Sequence, residues 1–267
     1  MIQLVLKRAI DEYRDNIKVM LSFGVLFLFV ALFVFFEQFF VSSGTVFFLF
    51  NESLLAVVGL IFGLVFLYVF SFFVSLTVYS VKRDMQRISL DVYWNTLMKK
   101  ASLKIFLFYL AMTLFVYIVS FMGLFFGYSV IAGIICFIII LLLIYVPQSI
   151  VLDELSIKDS IYESIVFWLK NPIVSIAIIF IGAIILTIIL AIEFALELLS
   201  LPGIVVSFVL VLIFLVPFLE QMKSYAFILK FDLIKQPEIQ RSKMVYTKPV
   251  KIDAIRLREK PKSGSKI

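Results

Sequence analysis

Residues 54–81 carry no charged side chain. A run of that length sets the solvent before any other feature is considered. The hydrocarbon core of a bilayer is about 30 Å thick, and about 20 apolar residues cross it as a helix. A helix also satisfies its own backbone, which lipid cannot do for an open strand. Five further runs have the same character: 19–36, 105–122, 130–146, 173–192 and 204–219. The composition agrees, since 63% of the residues are hydrophobic, where soluble domains average about 45–50%. The expected fold is an all-α membrane bundle of six transmembrane helices. Run 54–81 is longer than a bilayer requires, so it is expected to tilt or to project past the headgroups.

The connectors divide into two classes. Residues 1–18, 82–104, 147–172 and 220–267 hold four, six, two and twelve Lys/Arg, which accounts for all 24 in the chain. Residues 37–53, 123–129 and 193–203 hold none, and their only charges are Glu37, Glu52, Glu193 and Glu197. Cytoplasmic loops carry the Lys/Arg excess. The alternation therefore predicts a multi-pass protein of the cell membrane with both termini in the cytoplasm. The mixed charge of residues 1–18 does not fit a secretory leader, which opens basic and runs directly into a short apolar core.

The basic connectors share a design. Residues 4–18, 90–104 and 155–170 each form a short amphipathic segment that leads into a span. This suggests three helix-hairpin repeats: lead-in segment, span, outer turn, span. Within residues 155–170, Ser156 and Asp159 make a capping box. Ile157, Ile161, Ile165 and Trp168 fall on one stripe at helical spacing. Two readings are open: an interfacial helix lying on the inner leaflet, or a helix docked on the protein's own face. The predicted membrane domain covers residues 1–236. Residues 237–267 form a basic cytoplasmic tail, whose charge is suited to anionic lipid headgroups or to another acidic partner; DNA is not expected.

Other residues suggest helix contacts or sites. Gly59 and Gly63, extended by Ser71 and Ser75, give span two a small-residue face for close helix packing. Spans two, four and six are expected to make the tightest contacts. Pro147 and Pro217 lie near the inner ends of spans four and six and predict kinks. Each proline frees the carbonyl four residues earlier, Leu143 or Ile213. Such carbonyls hold cations in transporters, or simply mark an ordinary kink. Glu193 and Glu197 share a helix face, with Glu37 as a possible neighbour, and form a candidate cation or proton site. Glu220 and Lys223 read as a boundary pair.

Catalytic patterns are not found. Without histidine, Ser–His chemistry is excluded. No nucleophile elbow, zinc-protease or phosphate-loop motif occurs. The lone Cys136 sits in an apolar run and reads as a small buried hydrophobe. No cofactor is implied.

The block 145–172, YVPQSIVLDELSIKDSIYESIVFWLKNP, resembles a segment of multi-span prokaryotic, mainly archaeal, proteins. These are similar to the membrane domain attached to some glycerophosphoryl diester phosphodiesterases. The positions that carry the resemblance are Pro147, Gln148, Ile150, Val151, Asp153, Asn171 and Pro172. The phosphodiesterase barrel is absent, so that activity is not implied. The expected function is that of a non-enzymatic membrane protein, a scaffold or lipid-interacting accessory factor with a possible protein partner. The alternative is a small-solute or ion permease.

Overall fold

A computed structural model describes residues 2–28, 39–42, 45–48, 53–86 and 90–228, with side chains for 2–28, 59–83 and 100–228. Five helical stretches in it are long and apolar enough to cross a membrane: Gly59–Arg83, Lys100–Phe125, Ser129–Leu152, Pro172–Leu198 and Gly203–Ile228. These correspond to spans two to six. Of the first span, the apolar helical stretch Ile17–Leu28 is described, and residues 29–36 lie outside the described residues. So do Glu37 and the tail 237–267. The chain divides into Met1–Phe227 and Ile228–Ile267; only the first is treated below.

The chain opens with α1 (Ile2–Asp15) and α2 (Ile17–Leu21), parted at Asn16. Two short antiparallel strands follow, β1 (Phe39–Ser42) and β2 (Thr45–Phe48), in the register Phe39↔Phe48 and Ser42↔Thr45. Apart from this hairpin, the elements among the described residues are helices. Its residues are mostly aromatic or β-branched, types that favour strands, and its register leaves a two-residue loop.

Helices α3 (Ser53–Gln86) and α4 (Leu90–Phe125) have 34 and 36 residues. At about 1.5 Å per residue each is about 50 Å long, well beyond a bilayer core of about 30 Å. A helix longer than the bilayer core tilts or projects past the headgroups. The second lead-in segment is not a separate helix: residues 90–104 are continuous with span three. Asn16 and Asn171 precede the helices that follow them, whereas the segment before span three has Lys100 and no Asn-Pro or Asn break, and the helix runs on uninterrupted.

The chain continues through α5 (Ser129–Leu142), α6 (Val146–Leu152), α7 (Ile157–Lys170) and α8 (Pro172–Leu198). It ends with α9 (Gly203–Leu210), a π-helical turn (Val211–Leu215) and α10 (Val216–Ile228). Helix α3 packs on α4, α6 and α2; α9 packs on α8. The main apolar core joins Phe23 and Leu26 of the first span, Val74 and Val78 of α3, Ile105 of α4, Val146 and Ile150 of α6, and Phe208 and Leu212 of the last span. Spans two and six are the more enclosed: a third and a half of their most apolar windows are buried. Span four is less enclosed than span five, so the expected two–four–six centre holds for two of its members only.

Among the described residues, two glycines beside connecting turns allow close helix approach. A Cβ on Gly123 would lie 2.4 Å from Ala132 Cβ, and one on Gly203 would lie 2.3 Å from the Glu193 carbonyl. These two glycines let α4 meet α5 and α8 meet α9 beside their connecting turns. Gly59 is buried, Gly63 half-buried, and Ser71 and Ser75 fully buried. Ser71 donates to Leu67 O at 2.6 Å, so its hydroxyl is satisfied within its own helix.

Candidate functional site

All described Lys and Arg side chains belong to the connectors of the basic class, and several of them turn inward there. A set of buried polar side chains results, built around the break between α5 and α6. Proline lacks the N–H that would continue α5, and its ring is tolerated in the first turn of a helix. Pro147 occupies that position in α6. The carbonyls and amides loosened by the break are taken up one by one. Val146 N–H donates to Leu143 O at 3.2 Å. Ser164 Oγ–H donates to Leu142 O at 2.8 Å and accepts from Tyr145 N–H at 3.2 Å. Lys223 Nζ reaches Ile144 O at 3.4 Å.

Helix α6 is buried from Val146 to Val151. Gln148 donates from Nε2 to Glu220 Oε2 at 2.7 Å, and Lys223 donates to the other carboxylate oxygen, Oε1, at 2.5 Å. The presumed boundary pair Glu220–Lys223 is therefore a buried ion pair, with both partners under 10% exposed. The C-terminal carbonyls of α6 meet cations, as the helix dipole favours. Lys82 Nζ donates to Val151 O at 3.0 Å and to Glu154 Oε1 at 2.8 Å. Lys104 Nζ donates to Leu155 O at 3.0 Å.

A second cluster ties α1 to the bundle. Glu12 is buried and accepts from Tyr225 Oη–H at 3.0 Å and from Asn16 Nδ2. Asn16 Oδ1 accepts from Arg83 at 3.0 Å. Tyr13 lies edge-on to Phe214 and Phe218, and its hydroxyl donates to Ile213 O at 3.0 Å. That carbonyl is the one Pro217 frees. Burial pushes the Tyr13 phenol above its ordinary value, which keeps it a donor. Both carbonyls freed by the prolines, for which a cation or an ordinary kink was the choice, are thus hydrogen-bonded within the protein, Leu143 O by the backbone and Ile213 O by Tyr13. Pro217, like Pro147, sits in the first turn of its helical segment.

Helix α7 docks against the bundle through one face. Its buried face is Ser160, Ser164 and Phe167. Ile157 and Ile161 flank that face and pack on the main core, while Ile165 and Trp168 are half-buried. Ser156 caps the helix, accepting from Asp159 N–H at 3.3 Å. Phe167 packs with Tyr145 and Phe227, and Tyr145 Oη–H donates to Ser175 at 3.0 Å.

The charge-poor end has a different character. Glu193 is buried, and its Oε2 has no hydrogen-bond partner among the described residues. Glu197 lies one turn on, its Cγ beside Gly203. The two carboxylates are brought onto one face as expected; Glu37 is outside the described residues. Among the described residues no cluster of three or more metal-ligating side chains forms.

Sequence reasoning missed Glu12, Gln148 and Ser164. The available signal was spacing: Val5, Ala9 and Glu12, like Ser160, Ser164 and Phe167, recur at helical intervals with small residues among them. Comparison with known proteins adds no assignment: no protein-family model, curated protein or solved structure matches the chain.

Proposed function

We propose that this chain is a non-enzymatic, multi-pass protein of the cell membrane that works as a scaffold or lipid-interacting accessory factor. In this reading six spans form three helix-hairpin units, both termini lie in the cytoplasm, and the basic end of the bundle faces inward. The supporting observation is how the buried polar groups are used. Glu220, Lys223, Gln148, Ser164, Tyr13 and Lys82 are engaged with one another or with backbone carbonyls at helix breaks and ends. They hold helices together instead of converging on an open reacting centre. The resemblance of residues 145–172 to the phosphodiesterase-associated membrane domain belongs to the same proposal. That block supplies α6 and α7, the two helices that organise the basic end. The tail would add contact with anionic lipid, at about 1 kcal/mol per basic residue close to the surface.

A permease is the second reading. It is favoured by Glu193, a buried carboxylate with an unpartnered oxygen among the described residues in a span whose outer connector carries no cation, by the break in span four and by the π-helical turn in span six. Reconstitution tests the choice. Proteoliposomes of the full chain should pass protons, Na⁺ and K⁺ no faster than protein-free vesicles, while native mass spectrometry shows retained lipid. A saturable flux that Glu193→Gln abolishes would replace the scaffold with the permease.

A further inference from the structure

We propose that the cavity beside Lys223 receives the ester-linked acyl chain of a membrane lipid, with the ester carbonyl at the lysine ammonium. This rests on the lipid-interacting reading above. The cavity has a volume of about 230 Å³ and is lined by Phe108 and Met112 of α4, Ile140 and Leu143 from α5 and its end, Pro147 of α6, and Lys223 of α10. Ile140 is 47% exposed, so the mouth lies in the outer wall of the bundle, where lipid is the neighbour. An apolar void of about 150 Å³ already stays dry and takes up benzene. A larger one, open toward lipid, is suited to a hydrocarbon chain.

Lys223 supplies the charged end, and Tyr109 of α4 also lines the cavity. An ammonium has three N–H donors. Two of them serve Glu220 Oε1 and Ile144 O. The third has no acceptor among the described residues. Lys223 and Glu220 also neutralise each other. A carboxylate or phosphate brought into the cavity would add an unpaired negative charge at low dielectric, which is unfavourable. A neutral carbonyl takes the free N–H without adding charge. Among neutral acceptors, the ester carbonyl is the one that an acyl lipid carries next to its chain, and in this proposal the lysine marks where that carbonyl sits.

The test uses the full-length protein in detergent with a monoacylglycerol carrying a diazirine on its chain. After irradiation, adducts are mapped by peptide mass spectrometry. They should concentrate on Met112, Ile140 and Leu143, well above the exposed residues Leu114 and Ile134. Ile140→Trp, which fills the mouth, should cut adducts at Met112 and Leu143 about tenfold with the melting profile unchanged. If Ile140→Trp does not fold, Met112→Phe makes the same test from the facing wall. Labelling spread evenly over Leu114, Ile134 and the cavity residues would overturn the site. An ether analogue that labels as strongly as the ester would overturn the carbonyl contact. A free fatty acid that displaces the ester at lower concentration would overturn the neutral head. Native mass spectrometry of untreated protein separates the two levels. Retained lipid without cavity adducts rejects the cavity alone; neither lipid nor adducts rejects the lipid-interacting reading as well.

Discussion

Ser164→Ala and Ser160→Ala form a matched pair. Both serines are fully buried on one face of α7, and each substitution removes a single hydroxyl. The consequences should differ. Without the Ser164 hydroxyl, Leu142 O and Tyr145 N–H lose their partner at the α5–α6 break. Leaving a buried polar group unpaired costs about 1–3 kcal/mol, so two give about 2–6 kcal/mol. Hydrogen bonds between membrane helices measure at the weak end, averaging about 0.6 kcal/mol, because the unfolded state finds partners too. The lower limit, about 2 kcal/mol, is therefore the expected loss. Ser160 Oγ has no partner among the described residues, so its removal should be neutral or stabilising. At about 2–4 °C per kcal/mol for a chain of this size, Ser164→Ala should melt about 4–8 °C lower. Ser160→Ala should match the parent or exceed it. Scanning fluorimetry in one detergent, with Trp94 and Trp168 as reporters, makes the comparison. Equal shifts for the two variants would refute the reasoning, because the face would then be a packing surface indifferent to hydrogen bonding.

Three further outcomes are expected. Tyr13→Phe keeps the ring against Phe214 and Phe218 but loses the bond to Ile213 O, at about 1–2 kcal/mol in chemical denaturation. Because burial raises the Tyr13 phenol, its contribution is complete below the ordinary value of about 10. It is lost as pH rises through the higher folded value, so the parent and Tyr13→Phe should converge only at strongly alkaline pH. Gly123→Ala should destabilise by forcing α4 and α5 apart at Ala132. Adding Ala132→Gly should restore the melting midpoint, and no rescue would mean that the close approach is not what limits the site. For topology, cysteines at Thr45 and Ser200 in a Cys136→Ala background should react with an impermeant reagent outside intact cells, and one at Ser263 should not; labelling at Ser263 would reverse the orientation.

The membrane-crossing helices were legible because lipid imposes a crude requirement, length without charge, that residues such as 173–192 meet openly. The polar clusters were harder to read because the same residue types serve two surfaces. Glu12 stands among Lys7, Arg8, Asp11 and Arg14 and looks like one more solvated charge. Only its spacing from Val5 and Ala9 places it inside. In α7 the large apolar stripe from Ile157 to Trp168 drew attention from the smaller Ser160–Ser164 face. A bundle in lipid gains little by burying large apolar side chains, since lipid is as apolar as they are. Small and hydroxyl residues mark the contact faces. Pro147 and Pro217 were foreseen, but the side chains that serve the backbone beside them were not, because Ser164, which takes Leu142 O, and Tyr13, which takes Ile213 O, come from other helices. Tyr13 and Ile213 are 200 residues apart, a pairing no local pattern announces.

That long-range pairing bears on the proposed three-unit organisation. Helix α7 leads into the third unit, and its Ser164 caps the proline break in span four, the last helix of the second. Helix α1 leads into the first unit, and its Tyr13 caps the carbonyl freed by Pro217 in span six, the last helix of the third. In both, a lead-in helix hydrogen-bonds backbone near the proline of a final span, at Leu142 O in span four and at Ile213 O in span six. The remaining case would pair the second unit's lead-in segment with span two. Span two contains no proline and runs unbroken through α3, so it frees no carbonyl of this kind. The corresponding lead-in, residues 90–104, is continuous with α4. Where no proline opens the backbone, no separate lead-in helix is present to close it.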